Sequence, residues 1–249
     1  MSKILIIGES CLDVFTYGSC RRLCPEAPVP VFNKHYTTEN HGMAMNVYNN
    51  IISLGEKSDL MTNSNWRQIK KNRFIDERTN HMFIRIDSND SDYQKCDVTK
   101  INYNFYDAVV ISDYNKGFIS CEDIEYISNN HPLTFLDTKK SLDKWSSNIT
   151  FIKINLNEYE KSKQFVNNNI SNQVIITMGS DGCRYKGVTY PVPAVEIKDT
   201  SGAGDTFLAS FAVKYLEQKS VEDSIDFANK CATQVVQKRG VTVVKQKWL

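Results

Sequence analysis

From about residue 105 onward, short apolar runs alternate with helical stretches, and few architectures accommodate that alternation. Ala108–Ser112, Leu133–Leu136, Thr150–Ile154 and Val174–Thr177 read as strands, and Lys3–Ile7 reads as a buried strand before them. Between the runs, Ser120-x-x-Asp123 has the capping-box pattern, with Ile119 and Ile124 placed as its hydrophobic staple. Asn155-x-x-Glu158 opens the next helix in the same way. Strands joined through helices imply βαβ units. The expected fold is therefore α/β, a doubly wound, largely parallel sheet with helices on both faces.

The remaining segments decorate that plan. Between Val14 and Tyr36, three prolines interrupt short alternating segments such as Pro28–Phe32, which predicts short, exposed edge strands. A helix is expected from near Gly42, with Met43, Val47, Ile51 and Leu54 on one face and Gly55 as its stop. Residues 56–72 are polar and poorly periodic, so no element is assigned there. Met82–Ile86 reads as a strand able to pair with the earlier excursion, and Cys183–Val192 as a hairpin. A last helix from Ser220 carries Ile225, Ala228, Ala232 and Val235 inward, before a final strand at Val241–Val244.

At 249 residues and 41% hydrophobic content, one larger domain with a real core is expected over residues 1–249. Lys and Arg total 30 against 29 Asp and Glu, leaving a net charge of +1 that argues against a nucleic-acid footprint or a membrane surface. No apolar run reaches transmembrane length, and Ile4–Ile7 is too short for a signal-peptide core. Seven scattered cysteines with no Cys-x-x-Cys pair read as free thiols of a cytoplasmic protein. Cys20-x-x-x-Cys24 has no second half that would complete a metal site.

The chemistry concentrates at Asp199-Thr-Ser-Gly202-Ala203-Gly204-Asp205, where Phe207, Leu208, Phe211, Ala212, Tyr215 and Leu216 then follow on one helical face. The glycines form the turn into a buried helix, whose free N–H groups and positive dipole end can hold an anion. A carboxylate in that first turn completes the equipment for phosphoryl transfer to an alcohol: amides stabilise the transferring group and Asp205 takes the hydroxyl proton. The plain alternative is a Gly-rich turn in which Asp205 only complements the dipole. What favours a site is where the other polar residues fall. Gly8–Asp13, Asp113–Lys116, Asp137–Lys139, Asn155–Glu158 and Thr177–Gly182 all lie just past proposed strands, at the edge where parallel sheets bind ligands.

Together these segments resemble the ribokinase-like sugar kinases of the phosphofructokinase B type, from Ile4 to Val244. The resemblance implies that Gly202, Ala203 and Gly204 form the anion hole and Asp205 is the base. Asn155 and Glu158 match the Asn-x-x-Glu motif that organises Mg²⁺, with Glu158 acting through metal-bound water, and the nucleotide phosphates. Thr177, Gly179 and Gly182 match the nucleotide-phosphate loop, and Asn229 falls near the adenine. Lys139 reads either as added positive charge near the transferring group or as a plain surface lysine. Asp13, Gly42 and Asn46 resemble the residues that bind sugar hydroxyls. The edge-strand excursion, within about 14–40 and 73–90, becomes a lid and a homodimer contact, with ATP and Mg²⁺ as cofactors and a sugar or sugar phosphate as partner.

One branch is more similar than the rest. Ser19-Cys-Arg-Arg-Leu-Cys-Pro25-Glu26-Ala27-Pro28-Val29-Pro30-Val31 resembles the lid of the bacterial D-glycero-D-manno-heptose 7-phosphate kinases, as do Ser112-Asp113-Tyr114-x-Lys116-Gly117 and Leu136-Asp137-Thr-Lys139. The implied reaction moves the ATP γ-phosphate to the 1-hydroxyl of the heptose phosphate, by a kinase domain without the nucleotidyltransferase that some of these kinases carry. Three features vary the pattern. His41 stands where the family has a glycine, which puts a titratable group beside the sugar. Residues 56–72 are short for the usual strand and helix. Lys71, Arg73 and Arg85 are candidates for a distal phosphate, although the ordinary exposure of such residues favours solvated surface charges. A kinase of another sugar or nucleoside, and a catalytically silent binding protein on the same scaffold, are the competing readings.

Overall fold

The structure is a computed structural model that describes residues 2–245 and Trp248. Its strands are β1 (Lys3–Gly8), β2 (Ser10–Leu23), β3 (Pro30–Met43), β4 (Lys57–Met61), β5 (Lys70–Asp76), β6 (Met82–Ser88), β7 (Ala108–Asp113), β8 (Thr134–Thr138), β9 (Phe151–Asn155), β10 (Val174–Thr177), β11 (Cys183–Tyr185) and β12 (Val188–Tyr190). The helices are α1 (Ala44–Ser53), α2 (Cys121–Asn130), α3 (Leu156–Phe165), α4 (Ala203–Gln218) and α5 (Val221–Val236).

Eight strands form one sheet in the order β12-β11-β10-β9-β8-β7-β1-β4. The six from β10 to β4 run parallel, and the β11–β12 hairpin closes the far edge antiparallel. Alternation along β1 shows why helices must cover both faces. Ile4 and Ile6 pack with Val47 and Ile51 of α1 and Phe211 of α4, whereas Leu5 and Ile7 pack with Ile124 of α2 and Tyr159 of α3. The connections leave β1 in both directions, to β4 on one side and β7 on the other, which makes the β1/β7 edge a topological switch point. Gly8 allows the close approach there, since a Cβ would lie 2.0 Å from the Ser112 carbonyl oxygen.

A second sheet has the order β3-β2-β5-β6. Cys11, Asp13, Phe15 and Tyr17 of β2 share one face with Lys71, Arg73 and Ile75 of β5, as the register Asp13↔Lys71 and Phe15↔Arg73 requires. Phe15, Tyr17 and Ile75 are buried against Val241, which seats that face. The opposite face leaves Ile84 and Ile86 about half exposed.

Three expectations need correction. The predicted short edge strands are two long ones, β2 and β3 of 14 residues each, because the inward aromatic positions continue the alternation. Two of the prolines, Pro25 and Pro28, sit in the turn between the strands, and Pro30 starts β3. Residues 56–72 contain a strand, β4, and the start of another, β5, and lack only a helix. β4 is polar because it is the sheet's outer edge, and β5 hides because its charged residues point inward. Val241–Val244, predicted as a strand, has no ladder partner among the described residues. The Val244 N–H donates to Asn50 Oδ1 at 3.0 Å and its carbonyl accepts from Ser53 Oγ at 2.5 Å, so α1 side chains replace a neighbouring strand.

The helix starts follow their sequence signals. Ser120 and Asp123 form a complete capping box on α2, Asn155 and Glu158 another on α3, and the Ser220 side chain accepts from the Asp223 N–H on α5.

Candidate active site

α4 begins without a side-chain cap. Gly202 sits at its N-cap in the left-handed region, φ 80°, and a Cβ there would lie 2.6 Å from the Asn46 amide. The Ala203 N–H donates to the Thr200 carbonyl at 3.2 Å, and no side chain caps the turn, which has the positive end of the helix dipole behind it. Asp205 lies in that first turn and is 4% exposed. Its Oδ2 accepts a hydrogen bond from Asn46 Nδ2 at 3.0 Å and its Oδ1 accepts one from the Tyr114 hydroxyl at 2.7 Å. Asn46 is oriented by Asn50, whose Nδ2 donates to Asn46 Oδ1 at 3.1 Å. The same Asn50 accepts from Val244, so the end of the described chain is tied to the carboxylate through two amides. Both direct partners of Asp205 are neutral. Burial pushes its pKa up to about 6; the two hydrogen bonds pull down, the Asp137 charge pushes up and Lys153 pulls down. Burial and the Asp205 charge raise the Tyr114 phenol well above its usual value, so it stays a donor.

Next to this turn, Lys153 of β9 and Asp137 of β8 form a buried ion pair at 2.6 Å. A Cβ on Gly204 would lie 2.8 Å from Lys153 Nζ, so the missing side chain lets the ammonium reach the start of α4. Asp137 Oδ1 is buried and has no hydrogen-bond partner among the described residues. Lys139 pairs with Glu158 Oε1 at 2.5 Å and stands 3.9 Å from Asp137 Oδ1. Burial lowers the Lys139 pKa, but the Asp137 and Glu158 charges outweigh it and leave it raised. Glu158 Oε2 accepts from the Asn155 N–H at 2.7 Å, and Asn155 pairs in register with Thr177. Lys139, Asn155, Glu158 and Thr177 are thus brought to the same edge as Asp205.

The Thr177–Gly182 turn follows β10, with Gly179 at φ 63° and Gly182 at φ 82°. A Cβ on Gly182 would fall 2.1 Å from the Tyr190 carbonyl oxygen, and the Asn229 amide of α5 donates to that same oxygen at 3.1 Å. Asn229 therefore meets the glycine turn through the β12 backbone.

Asp13 lies on the second sheet. Arg73 Nη1 donates to its Oδ1 at 2.5 Å, and a Cβ on Gly42 would lie 2.1 Å from its Oδ2. Only glycine at 42 leaves room for this carboxylate. Lys71 is 7% exposed, lies 5.3 Å from the Tyr114 ring centroid and 3.3 Å from the Met43 sulfur, and has no carboxylate partner among the described residues. Lys71 and Arg73 are therefore not solvated surface charges, contrary to expectation, because β5 turns both toward Asp13. Arg85 is the surface residue of the three, paired with Asp87 at 2.7 Å. His41 also needs correction. It falls in register with Leu12, on the face opposite Asp13, where its ring meets Trp66 edge-on at 4.9 Å.

Sequence reading missed the roles of Glu9 and Lys153. Glu9 is fully buried, and its two oxygens accept from the Tyr114 and Lys116 N–H groups, fixing the loop that carries Tyr114. Burial, then the Asp113 charge, raises its pKa. For Lys153 the signal was available: a lysine inside an apolar strand rarely lacks a partner.

The profile of the pfkB family carbohydrate kinases matches residues 89–248. The chain is 31% identical to the bifunctional protein HldE of Helicobacter pylori strain HPAG1 over 96% of its own length, and 26% identical to that of a Nitratiruptor species, again over 96%. It spans 64% and 62% of those proteins, respectively. A ribokinase from Thermotoga maritima superposes with TM-score 0.73 at 15% identity, covering 100% of this chain and 98% of that one. A nucleoside kinase from Methanocaldococcus jannaschii gives TM-score 0.73 at 19% identity, covering 98% and 95%. No helix among the described residues is long and apolar enough to cross a membrane. With a ribokinase-like fold and a family profile over most of its length, this chain belongs to the pfkB family of carbohydrate kinases, phosphotransferases that act on a sugar hydroxyl.

Proposed function

We propose that this chain transfers the γ-phosphoryl group of ATP to the 1-hydroxyl of D-glycero-D-manno-heptose 7-phosphate. The observation that carries the phosphoryl transfer is Asp205, a buried carboxylate held by neutral donors in the first turn of an uncapped helix. The acceptor hydroxyl attacks the γ-phosphorus and gives its proton to Asp205, while the bond from that phosphorus to the β–γ bridging oxygen breaks and ADP departs. The N–H groups of Gly202 and Gly204 receive the charge of the transferring group, joined by that of Ala203 once it turns from the Thr200 carbonyl, with Lys153 beneath Gly204 adding a cation. Asn46 and Tyr114 hold both carboxylate oxygens of Asp205 in place.

Asp13 binds sugar hydroxyls, with Gly42 leaving the space. Lys71 supports an acceptor that already carries an anion, since a buried ammonium without a carboxylate partner is costly until a ligand supplies one. Thr177, Gly179 and Gly182 take the nucleotide phosphates, and Asn229 lies toward the base. The donor set also suits Mg²⁺: Asp137 Oδ1 is an orphaned buried oxygen, and Glu158 stands across Lys139 from it. Asp137 and Glu158 would hold the ion with water and phosphate oxygens, and it would neutralise charge on the transferring phosphates. The second sheet acts as a lid, and its exposed Ile84 and Ile86 supply an apolar face for a homodimer.

The test is ATP-dependent phosphorylation of the heptose 7-phosphate beside the unphosphorylated heptose. Turnover with the phosphate ester alone supports the reading. Turnover only with unphosphorylated sugars keeps the kinase and rejects this acceptor, and no turnover with any acceptor despite ATP binding rejects catalysis.

A further inference from the structure

A cavity of about 640 Å³ lies at the opposite end of the second sheet, lined by Gly18, Ser19 and Arg21 of β2, His35 of β3, Asp76, Glu77 and Arg78 where β5 turns back, and Arg239 after α5. Gly18 is five residues beyond Asp13 along β2, about 17 Å away at strand rise, so this is not the acceptor pocket. Its charges are unequally paired, and its three arginines are exposed to solvent. Asp76 Oδ1 accepts from the Arg78 and Thr79 N–H groups and the Thr79 hydroxyl, and Glu77 is paired with His35 Nδ1 at 2.6 Å. Both carboxylates are thus engaged within the walls. The guanidinium groups of Arg21, Arg78 and Arg239 have neither an ion pair nor a hydrogen bond among the described residues, and Arg239 lies 6.0 Å from the Tyr17 ring centroid.

Three free guanidinium forks around a cavity of ligand size match a phosphate ester, which they can bind through paired, charge-assisted hydrogen bonds. We propose that this cavity binds a phosphate-bearing small molecule and links it to the catalytic turn. The link is short and passes through two backbone hydrogen bonds to one carboxylate. Arg239 precedes Gly240, whose N–H donates to Asp199 Oδ2 at 3.1 Å, while Asp199 Oδ1 accepts from the Ser201 N–H at 2.8 Å, next to Gly202. Arg21 and Arg78 belong to the second sheet and Arg239 to the larger body, so one anion held by all three fastens the two sheets together.

Calorimetric titration of the full chain tests this, with a saturating non-hydrolysable ATP analogue filling the catalytic site. The probes are inorganic pyrophosphate, AMP and glucose 6-phosphate. One site per chain is expected for at least one probe. Arg21→Ala combined with Arg239→Ala weakens it by about tenfold or more, as loss of charge-assisted contacts requires. Arg239→Lys keeps the charge without the fork and loses less, and turnover measured without the probe stays unchanged in each variant. Binding of AMP, of glucose 6-phosphate, or of pyrophosphate alone identifies a nucleotide, a sugar phosphate or an inorganic source, respectively. The proposal is overturned if no probe binds the wild type, or if the double variant binds as tightly. Loss of the kinase reading leaves this measurement intact, because it reads binding and not phosphoryl transfer.

Discussion

Asp205 and Asp13 are both buried carboxylates near the same sheet edge, yet their surroundings suit them to different work. Asp13 meets a guanidinium at 2.5 Å, so its charge is compensated and its geometry fixed. Asp205 meets only an amide and a phenol, and burial raises its pKa to about 6. A carboxylate paired with an arginine fork is a good anchor. One buried among neutral donors is a base near the operating pH. Partner chemistry, more than burial, separates the two roles.

The comparison breaks most visibly at Asp205. Asp205→Asn keeps the shape and removes the proposed base, and a fall in kcat of about 10³-fold is expected, with ATP affinity retained. Turnover near wild type would make Asp205 another anchor. At Asp13 the expected loss is in binding. Gly42→Ala drives a methyl into the Asp13 carboxylate, and about a tenfold rise in KM for the acceptor with a smaller change in kcat is expected in steady-state kinetics. Lys71→Met should raise KM for a phosphorylated acceptor by a similar factor while leaving an unphosphorylated one unaffected. Equal losses on both acceptors would remove Lys71 from phosphate recognition.

The pH dependence separates the pair further. As the proposed base, Asp205 must be ionised to act, so kcat should fall as pH drops through about 6. For stability, the folded state holds the proton more tightly than the unfolded one. The protein is therefore destabilised as pH rises from the ordinary carboxylate range through about 6, and the cost persists above it. Asp205→Asn should then be more stable than wild type at pH 7, by on the order of 2 kcal/mol, with the advantage vanishing near pH 3. Denaturant melts at the two pH values check this, and a variant equally stable at both would deny the burial cost. The smallest effect is expected from Tyr114→Phe, which removes one donor from Asp205 and moves the acid limb of the kcat profile upward by less than about one unit. An unmoved limb would show that Asn46 alone sets the carboxylate.

Much of the architecture was legible in the chain. The apolar runs after residue 105, the capping boxes at Ser120 and Asn155 and the glycine turn before α4 are local signals, and local physics made those elements. The candidate residues past the strand ends were also legible, because a parallel sheet gathers its strand ends at one edge. Strand β5 was not, since its alternating lysine and arginine look like surface until β2 presents Asp13 to them. Val241–Val244 looked like a strand because apolar content does not reveal that Asn50 and Ser53 will take its hydrogen bonds. Sequence by itself determined the alternation, the caps and the uncapped glycine turn, which depend on neighbours within a few residues. Only the tertiary structure decided which charges meet: Arg73 with Asp13, Lys153 with Asp137 beneath Gly204, and amide and phenol around Asp205. Those pairings join residues 16 to 159 positions apart, and no local preference encodes them.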